Sequence, residues 1–214
     1  MQPKPNYDRE MQSCLAALNA KERPQLLLHA CCGPCSSAVL EQLCQYFDIT
    51  ILYYNPNIWP PAEYRRREEE LERFVAEAHP LGVKVVEDRY DPEEFYAAAR
   101  GLEAEPERGA RCTACYRLRM GRAAAYAAAN GFDWFATTLS ISPHKDAERI
   151  NRIGQELAAE YGVPHLPSDF KKKNGYLRSL QLSAEYGLYR QDYCGCVYSH
   201  AQSEAERQAK AGRG

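Results

Sequence analysis

Leu26-Leu27-Leu28-His29-Ala30-Cys31-Cys32-Gly33-Pro34-Cys35-Ser36-Ser37 decides how this chain is read. A short apolar run fit for a buried strand ends in a turn. Val39, Leu40, Leu43 and Phe47 then follow at helical spacing. Strand, turn and helix form the opening unit of an α/β protein, whose chemistry sits in the loops after the strands. Here that loop carries three thiols. Neighbouring cysteines such as Cys31 and Cys32 rarely serve packing, and Cys35 stands one helical turn further on.

The same alternation continues outward. Residues 49–54 read as a second strand, ended by Asn55-Pro56-Asn57 and a loop through Ile58-Trp59-Pro60-Pro61. A charged helix over 62–78 leads to a third strand, 83–86. Asp91-Pro92 opens a helix over 93–100 by the cap-then-proline signal. A Gly/Pro/Glu-rich loop, 102–110, precedes an alanine-rich helix, 115–129, stopped by Asn130-Gly131. A fourth strand, 134–139, runs into Ser140-Ile141-Ser142-Pro143-His144-Lys145. A helix over 147–161 and a short fifth strand, 163–166, follow. Residues 178–198 read as helical and then irregular, and carry Cys194-Gly195-Cys196. Alternating strands and helices predict a Rossmann-like (HUP-like) parallel sheet with helices on both faces, plus this cysteine-bearing segment. The expected organisation is an arm (1–20, with a short helix over 10–18), one α/β catalytic domain (21–200) and a polar tail (201–214), a fraying helix or disordered.

At 214 residues the chain suffices for one domain with a full core. A net charge of -2 counts against a surface that binds nucleic acid everywhere, though not against a local basic patch. The 9 cysteines are too few for a disulfide scaffold, and their adjacency and odd number fit a secreted framework poorly. The N-terminus is polar and no apolar run has the length of a signal or spanning segment. The reading is a cytoplasmic protein whose thiols are reduced or metal-bound.

Cys31/Cys32/Cys35, Cys112/Cys115 and Cys194/Cys196 gather seven thiols into three tight groups. Thiolates form readily at helix N-termini, where free N–H groups and the dipole favour negative charge. Cys31, Cys32, Cys112 and Cys115 offer four ligands from two segments, which suits tetrahedral zinc or an iron–sulfur cluster. Ligand number does not separate these two. The surplus thiols Cys35, Cys194 and Cys196 lean against a closed structural zinc site. Cys194-Gly195-Cys196 can close a strained, reducible disulfide or bind a second ion. Cys14 and Cys44 read as small core residues on apolar helix faces.

Six stretches, in this order, resemble a known family: residues 28–35, Tyr54-Asn55-Pro56-Asn57-Ile58, Glu63-Tyr64-Arg65-Arg66-Arg67, Arg111-Cys112-Thr113-Ala114-Cys115-Tyr116-Arg117-Leu118-Arg119, residues 137–145, and residues 189–199. Together they are similar to the cobalamin-independent epoxyqueuosine reductases, QueH. The resemblance implies reduction of the cyclopentane epoxide of epoxyqueuosine to an alkene at the tRNA wobble position, the last step of queuosine formation. It implies a tRNA partner carrying epoxyqueuosine in the anticodon, an external electron donor, and a [4Fe-4S] cluster on Cys31, Cys32, Cys112 and Cys115. Cys194 and Cys196 match the family's C-terminal thiol pair, either a redox-active disulfide or ligands of a second, mononuclear iron. Cys35 would join them, so Cys194, Cys196 and Cys35 are the expected catalytic residues.

An epoxide C–O bond breaks more easily when a Lewis acid or proton donor holds its oxygen. Histidine's ordinary pKa lies near working pH, which makes His29 and His144 candidate proton donors, but neither is assigned a catalytic role. Phosphates call for Lys and Arg, and an extruded base for aromatic faces. Lys171, Lys172, Lys173 and Arg178 lie beside Tyr176, and Arg190 beside Tyr189 and Tyr193. Asn55, Asn57, Tyr189, Arg190 and Lys172 are the expected substrate contacts. Arg65-Arg66-Arg67 is expected to pair with Glu68-Glu69-Glu70 on its own helix. Two other functions compete. One is a tRNA sulfur transferase, but the turn at Cys32-Gly33-Pro34-Cys35-Ser36-Ser37 lacks the Asp and second Gly of a nucleotide loop. The other is a zinc-stabilised RNA-binding or redox-sensing domain.

Overall fold

A computed structural model describes residues 5–19, 22–79 and 82–211. Its elements in chain order are α1 (Tyr7–Ala17), β1 (Gln25–His29), α2 (Gly33–Leu43), β2 (Asp48–Tyr53), α3 (Pro61–Ala78), β3 (Val83–Glu87), α4 (Pro92–Ala99), α5 (Ala110–Ala129), β4 (Trp134–Thr137), α6 (Ala147–Tyr161), α7 (Gly175–Glu185) and α8 (Val197–Ala211). A single 3-10 turn, Thr138–Ile141, follows β4.

The strands form one parallel sheet in the order β3-β2-β1-β4. Register pairs Leu26 with Ile49 and Trp134, and His29 with Leu52 and Thr137. Alternate residues of β1 face opposite sides, as strand geometry demands. Leu26 and Leu28 join Val39, Leu43, Tyr64 and Phe74 under α2 and α3. Leu27 joins Met120, Ala123, Phe135 and Ile153 under α5 and α6. The expected two-faced α/β layering is what is found. The chain winds from β1 outward to β3 and then returns to β1's other edge. The loops after β1 and β4 therefore part company, leaving a crevice at the C-terminal edge of the sheet.

Several boundaries differ from the sequence reading. Helix α2 starts already at Gly33, with Cys32 as its extended N-cap residue. Helix α5 starts at Ala110, five residues before the expected position, because Gly109 serves as its N-cap. The fourth strand ends at Thr137, where the Thr137 side chain accepts from Leu139 N and turns the chain into the 3-10 segment. The expected fifth strand is one isolated bridge, Phe135 to His165. Pro164 and Pro167 flank it and cannot donate to a ladder. Residues 201–211 continue α8 as helix. The N-terminal helix spans Tyr7–Ala17 rather than 10–18 and sets Met11 and Leu15 into the core. Within the described residues, no helix is long and apolar enough to cross a membrane.

His165 gives this fold a pH dependence. Its ring is buried, neither nitrogen has a partner, and it packs so closely on α6 that a Cβ at Gly154 would meet it at 2.4 Å. Burial lowers its pKa from 6.5 to about 4. The unfolded chain then binds the proton first as pH falls. Stability is complete above about pH 6.5 and decreases by about 3 kcal/mol in all as pH drops towards 4. Urea unfolding of wild type and His165→Leu between pH 7 and 4.5 tests this. The variant should lack that part of the slope, and equal slopes would refute the assignment.

Candidate active site

The turn after β1 brings three thiols together. The sulfurs of Cys31, Cys32 and Cys35 all lie within 4.8 Å of one another, with Cys31 and Cys32 buried. Cys32 ends the extended segment while Cys35 sits on the first turn of α2, so a single turn folds three side chains onto one point. Hydrogen bonds from Cys32 and Cys35 lower the Cys31 pKa well below that of an ordinary thiol. The same bond to Cys31 raises Cys32 to about 11. Within the triad the hydrogen bonds favour negative charge on Cys31 over Cys32 and Cys35.

The opening turn of α5 brings the second pair. Arg108 N donates to Cys112 Sγ at 3.2 Å, from a residue with φ of 71°. Cys115, one turn on, is buried, and burial pushes its thiol to about 12. The fields of Cys194 and Cys196 bear on both Cys112 and Cys115. Cys196 is buried and exchanges bonds of 3.4 Å with Ser199 at the start of α8. Cys194 lines the same pocket as Cys31 and Cys35. All nine cysteines are free thiols. Cys14 and Cys44 lie away from these groups; Cys44, raised to about 11 by burial, stands 3.8 Å from His79 Nδ1.

Two cations sit among the thiols, and spacing alone did not single out either. Arg119 is fully enclosed, one turn after Cys115 on α5, and donates to Asn55 Oδ1 at 2.5 Å. Burial lowers its pKa, but the thiols of Cys115, Cys31 and Cys194 more than reverse this. Its Nε has no partner. Lys145, in the loop beyond β4, is likewise held protonated: burial opposes its charge, and Cys194, Cys31 and Cys35 outweigh burial. Gln191 Nε2 reaches Cys32 Sγ at 3.4 Å, while Gln191 Oε1 is unpartnered. Among the described residues the sulfurs of Cys31, Cys32 and Cys35 stand close enough to share one ion, and with the buried Arg119, the half-buried Lys145 and an orphaned guanidinium N–H beside them they fit an anionic, thiolate-held metal centre. The i+4 step from Cys115 was the signal that could have found Arg119.

The pocket beside these thiols has a volume of about 440 Å³. Cys31, Cys35 and Cys194 line it together with Lys145, Tyr176 and Arg190. Tyr189 stands in a neighbouring groove, its hydroxyl on Glu63 at 3.2 Å and its ring stacked under Arg66 at 3.3 Å. Lys172 is exposed on the approach before α7. Asn55 is fully buried and spent on Ala30 O (2.9 Å) and Arg119, so it braces the loops instead of lining the pocket. Asn57 is buried with Oδ1 unpartnered, close under Gly195. His29 is buried between Thr137 Oγ1 (2.9 Å) and Tyr54 O (3.2 Å), and burial lowers its pKa to about 3. It is a neutral framework residue. His144 is exposed at the pocket's edge. Arg65 and Glu68 pair as expected at 2.9 Å, whereas Arg67 turns inward to Glu63.

The family model described as "Epoxyqueuosine reductase QueH" matches residues 26–202. An epoxyqueuosine reductase QueH of Streptococcus pyogenes serotype M1 is 47% identical over 199 residues, spanning 91% of this chain and 78% of that protein. One of Thermotoga maritima is 36% identical over 177 residues, spanning 81% of this chain and 89% of its own. Among solved structures, the U34-tRNA thiolase NcsA from Methanococcus maripaludis with its [4Fe-4S] cluster superposes with a TM-score of 0.53 over 96% of this chain and 73% of that chain. At 12% identity, that likeness is one of fold.

Proposed function

The chain belongs to the epoxyqueuosine reductase QueH family, and we infer from this that it reduces the epoxide of epoxyqueuosine in tRNA to the alkene of queuosine. Two electrons and two protons enter, both C–O bonds of the epoxide break, and the oxygen leaves as water. The observation that carries this reading is the pocket itself: Cys31, Cys35 and Cys194 line it together with Tyr176 and Arg190, and its volume of about 440 Å³ suits one modified nucleoside.

Cys31, Cys32, Cys112 and Cys115 are the residues we assign to a [4Fe-4S] cluster, which when bound supplies electrons singly from an external donor. Cys35, Cys194 and Cys196 remain for the epoxide itself, as ligands of a mononuclear iron or as a dithiol that closes to a disulfide. Closing the dithiol releases the same two electrons and two protons. Lys145 Nζ stands in the pocket as a protonated donor. It is placed to stabilise negative charge on the epoxide oxygen as the C–O bond opens. Tyr176 offers a face for the base, and Arg190, bonded to Ser183 Oγ at 3.0 Å, a fork for the adjacent phosphate. Tyr189 and Lys172 extend this contact outward, while Asn55 and Asn57 support the pocket from below. A tRNA substrate places the reaction in the cytoplasm.

Anaerobic incubation of iron-replete protein with epoxyqueuosine-containing tRNA and a strong reductant, then mass analysis of nucleosides, tests the activity. Loss of one oxygen is expected, and unchanged epoxyqueuosine would overturn the reading. Arg190→Ala should weaken binding of an anticodon stem-loop and lower the salt slope of that binding by about 1. An unaltered slope would remove Arg190 from the contact.

A further inference from the structure

Adjacent arginines on α3 have opposite fates. Arg66 is exposed and stacks on Tyr189, whereas the Arg67 side chain is 1% exposed and pairs with Glu63, itself 9% exposed. Burying a guanidinium is costly unless most of its N–H groups find acceptors. Arg67 finds them in two places. Nε donates to Glu63 Oε1 at 2.7 Å, and the two Nη atoms aim at successive backbone carbonyls, Cys194 O at 3.3 Å and Tyr193 O at 3.5 Å. We propose that Arg67, oriented by Glu63, is a positioning residue that docks the Cys194-Gly195-Cys196 strap and so sets where Cys194 stands against Cys31 and Cys35.

The strap has no regular structure of its own between Glu185 and Val197. Its place depends on what it touches. Tyr193 Oη donates to Trp59 O at 2.5 Å, and Trp59 N donates to Gly195 O at 2.8 Å. Glu63 serves twice, holding Arg67 and accepting from the Tyr189 hydroxyl. The strap thus wraps the Glu63–Arg67 pair from Tyr189 round to Gly195. Gly195 has φ of 131°, and a Cβ there would lie 3.0 Å from Arg67 Nη1 and 3.2 Å from Ile58 Cγ1. Only glycine lets the backbone lie this close to the guanidinium. A lysine offers one point charge and cannot span two carbonyls, as a planar fork can. Arg67 does not line the thiol pocket, so it does not touch substrate; it holds the strap by contact and reaches Cys32 and Cys31 only through its field.

The inference rests on the proposed reductase only for what the thiols do; the dock is a property of the chain. Hydrogen–deuterium exchange of the full-length protein, purified anaerobically, reads it directly. In Arg67→Gln the amides of residues 190–199 should exchange about tenfold faster or more, with the β1 amides unchanged. Arg67→Lys should stay fast, because charge without the fork does not restore the dock. In the reductase assay, kcat should fall with KM unchanged. If Arg67→Gln does not fold, Gly195→Ala carries the test from the strap side and should give the same local acceleration. Wild-type exchange of the strap in Gly195→Ala, or in a folded Arg67→Gln, overturns the proposal, as does equal acceleration across β1. Exchange needs no substrate, so failure of the reductase assay and failure of the dock are separately visible.

Discussion

On the proposed cluster assignment, Cys115→Ala is expected to lower turnover by about a thousandfold or more and to leave the anaerobically purified protein without iron–sulfur absorbance. The thiol is buried on the second turn of α5, and burial, the largest cause, reinforced by the neighbouring thiols, pushes its pKa up to about 12. A buried neutral thiol contributes nothing to nucleophilic or redox chemistry at pH 7. Its placement becomes useful when a metal displaces the proton, and the helix N-terminus and Arg119 then stabilise the thiolate. Assembly therefore releases protons and weakens as pH falls. The same experiment on Cys35 separates the ligand sets. Cys35→Ala should retain the cluster absorbance while losing turnover. Cluster loss in Cys35→Ala with retention in Cys115→Ala would mean that the triad within 4.8 Å is itself the principal ligand set. Cys14→Ala and Cys44→Ala are the controls and should alter neither quantity.

Arg119→Met should change stability by different amounts in the loaded and metal-free protein. Loaded, Arg119 is the enclosed cation beside the thiolates, and its removal leaves their charge uncompensated, at a cost of about 3–5 kcal/mol. Metal-free, Cys115 is protonated at pH 7, Cys31 is the thiol whose lowered pKa still offers Arg119 a counter-charge, and Arg119 Nε is unpartnered. Relief of that orphan then offsets the lost bond to Asn55, and the change should stay within about 1–2 kcal/mol. Urea unfolding of iron-loaded and iron-free protein measures both. Equal destabilisation in the two forms would show that Arg119 is only a brace for Asn55.

What was legible in the sequence was local. The apolar run before Cys31, the Asp91-Pro92 cap and Gly162, which ends α6 with φ of 72°, are determined by neighbours in the chain. Spacing also found the thiols, because a turn or one helical step decides which of them meet. The fifth strand failed because Pro164 and Pro167 leave only His165 and Leu166 between them, too few to sustain a ladder. Arg119, Lys145 and Arg67 were overlooked for one shared reason. In sequence a charged residue reads as solvated, and only the packing of distant segments turns it inward. Asn55 illustrates the reverse error. A polar residue in a site loop suggested a contact with substrate, but Arg119 and Ala30 O, 64 and 25 positions away, had claimed both ends of its amide.

The strap's anchors have a consequence for how the molecule comes together. Arg67 meets Cys194 O across 127 positions, and Gln191 meets Cys32 across 159. The β1–β2 pairing joins segments only 23 positions apart. Closing the longer loops costs more entropy and draws on a surface that exists only after the sheet and α3 have formed. On the ribosome, the paired cysteines of α2 and α5 are complete well before Cys194 and Cys196 emerge. The chain thus builds its thiol cradle first and adds the strap last. Held by these few bonds and without regular structure of its own, the strap can open while the sheet stays folded, giving a metal or a large nucleic acid a way to sulfur that the finished fold encloses.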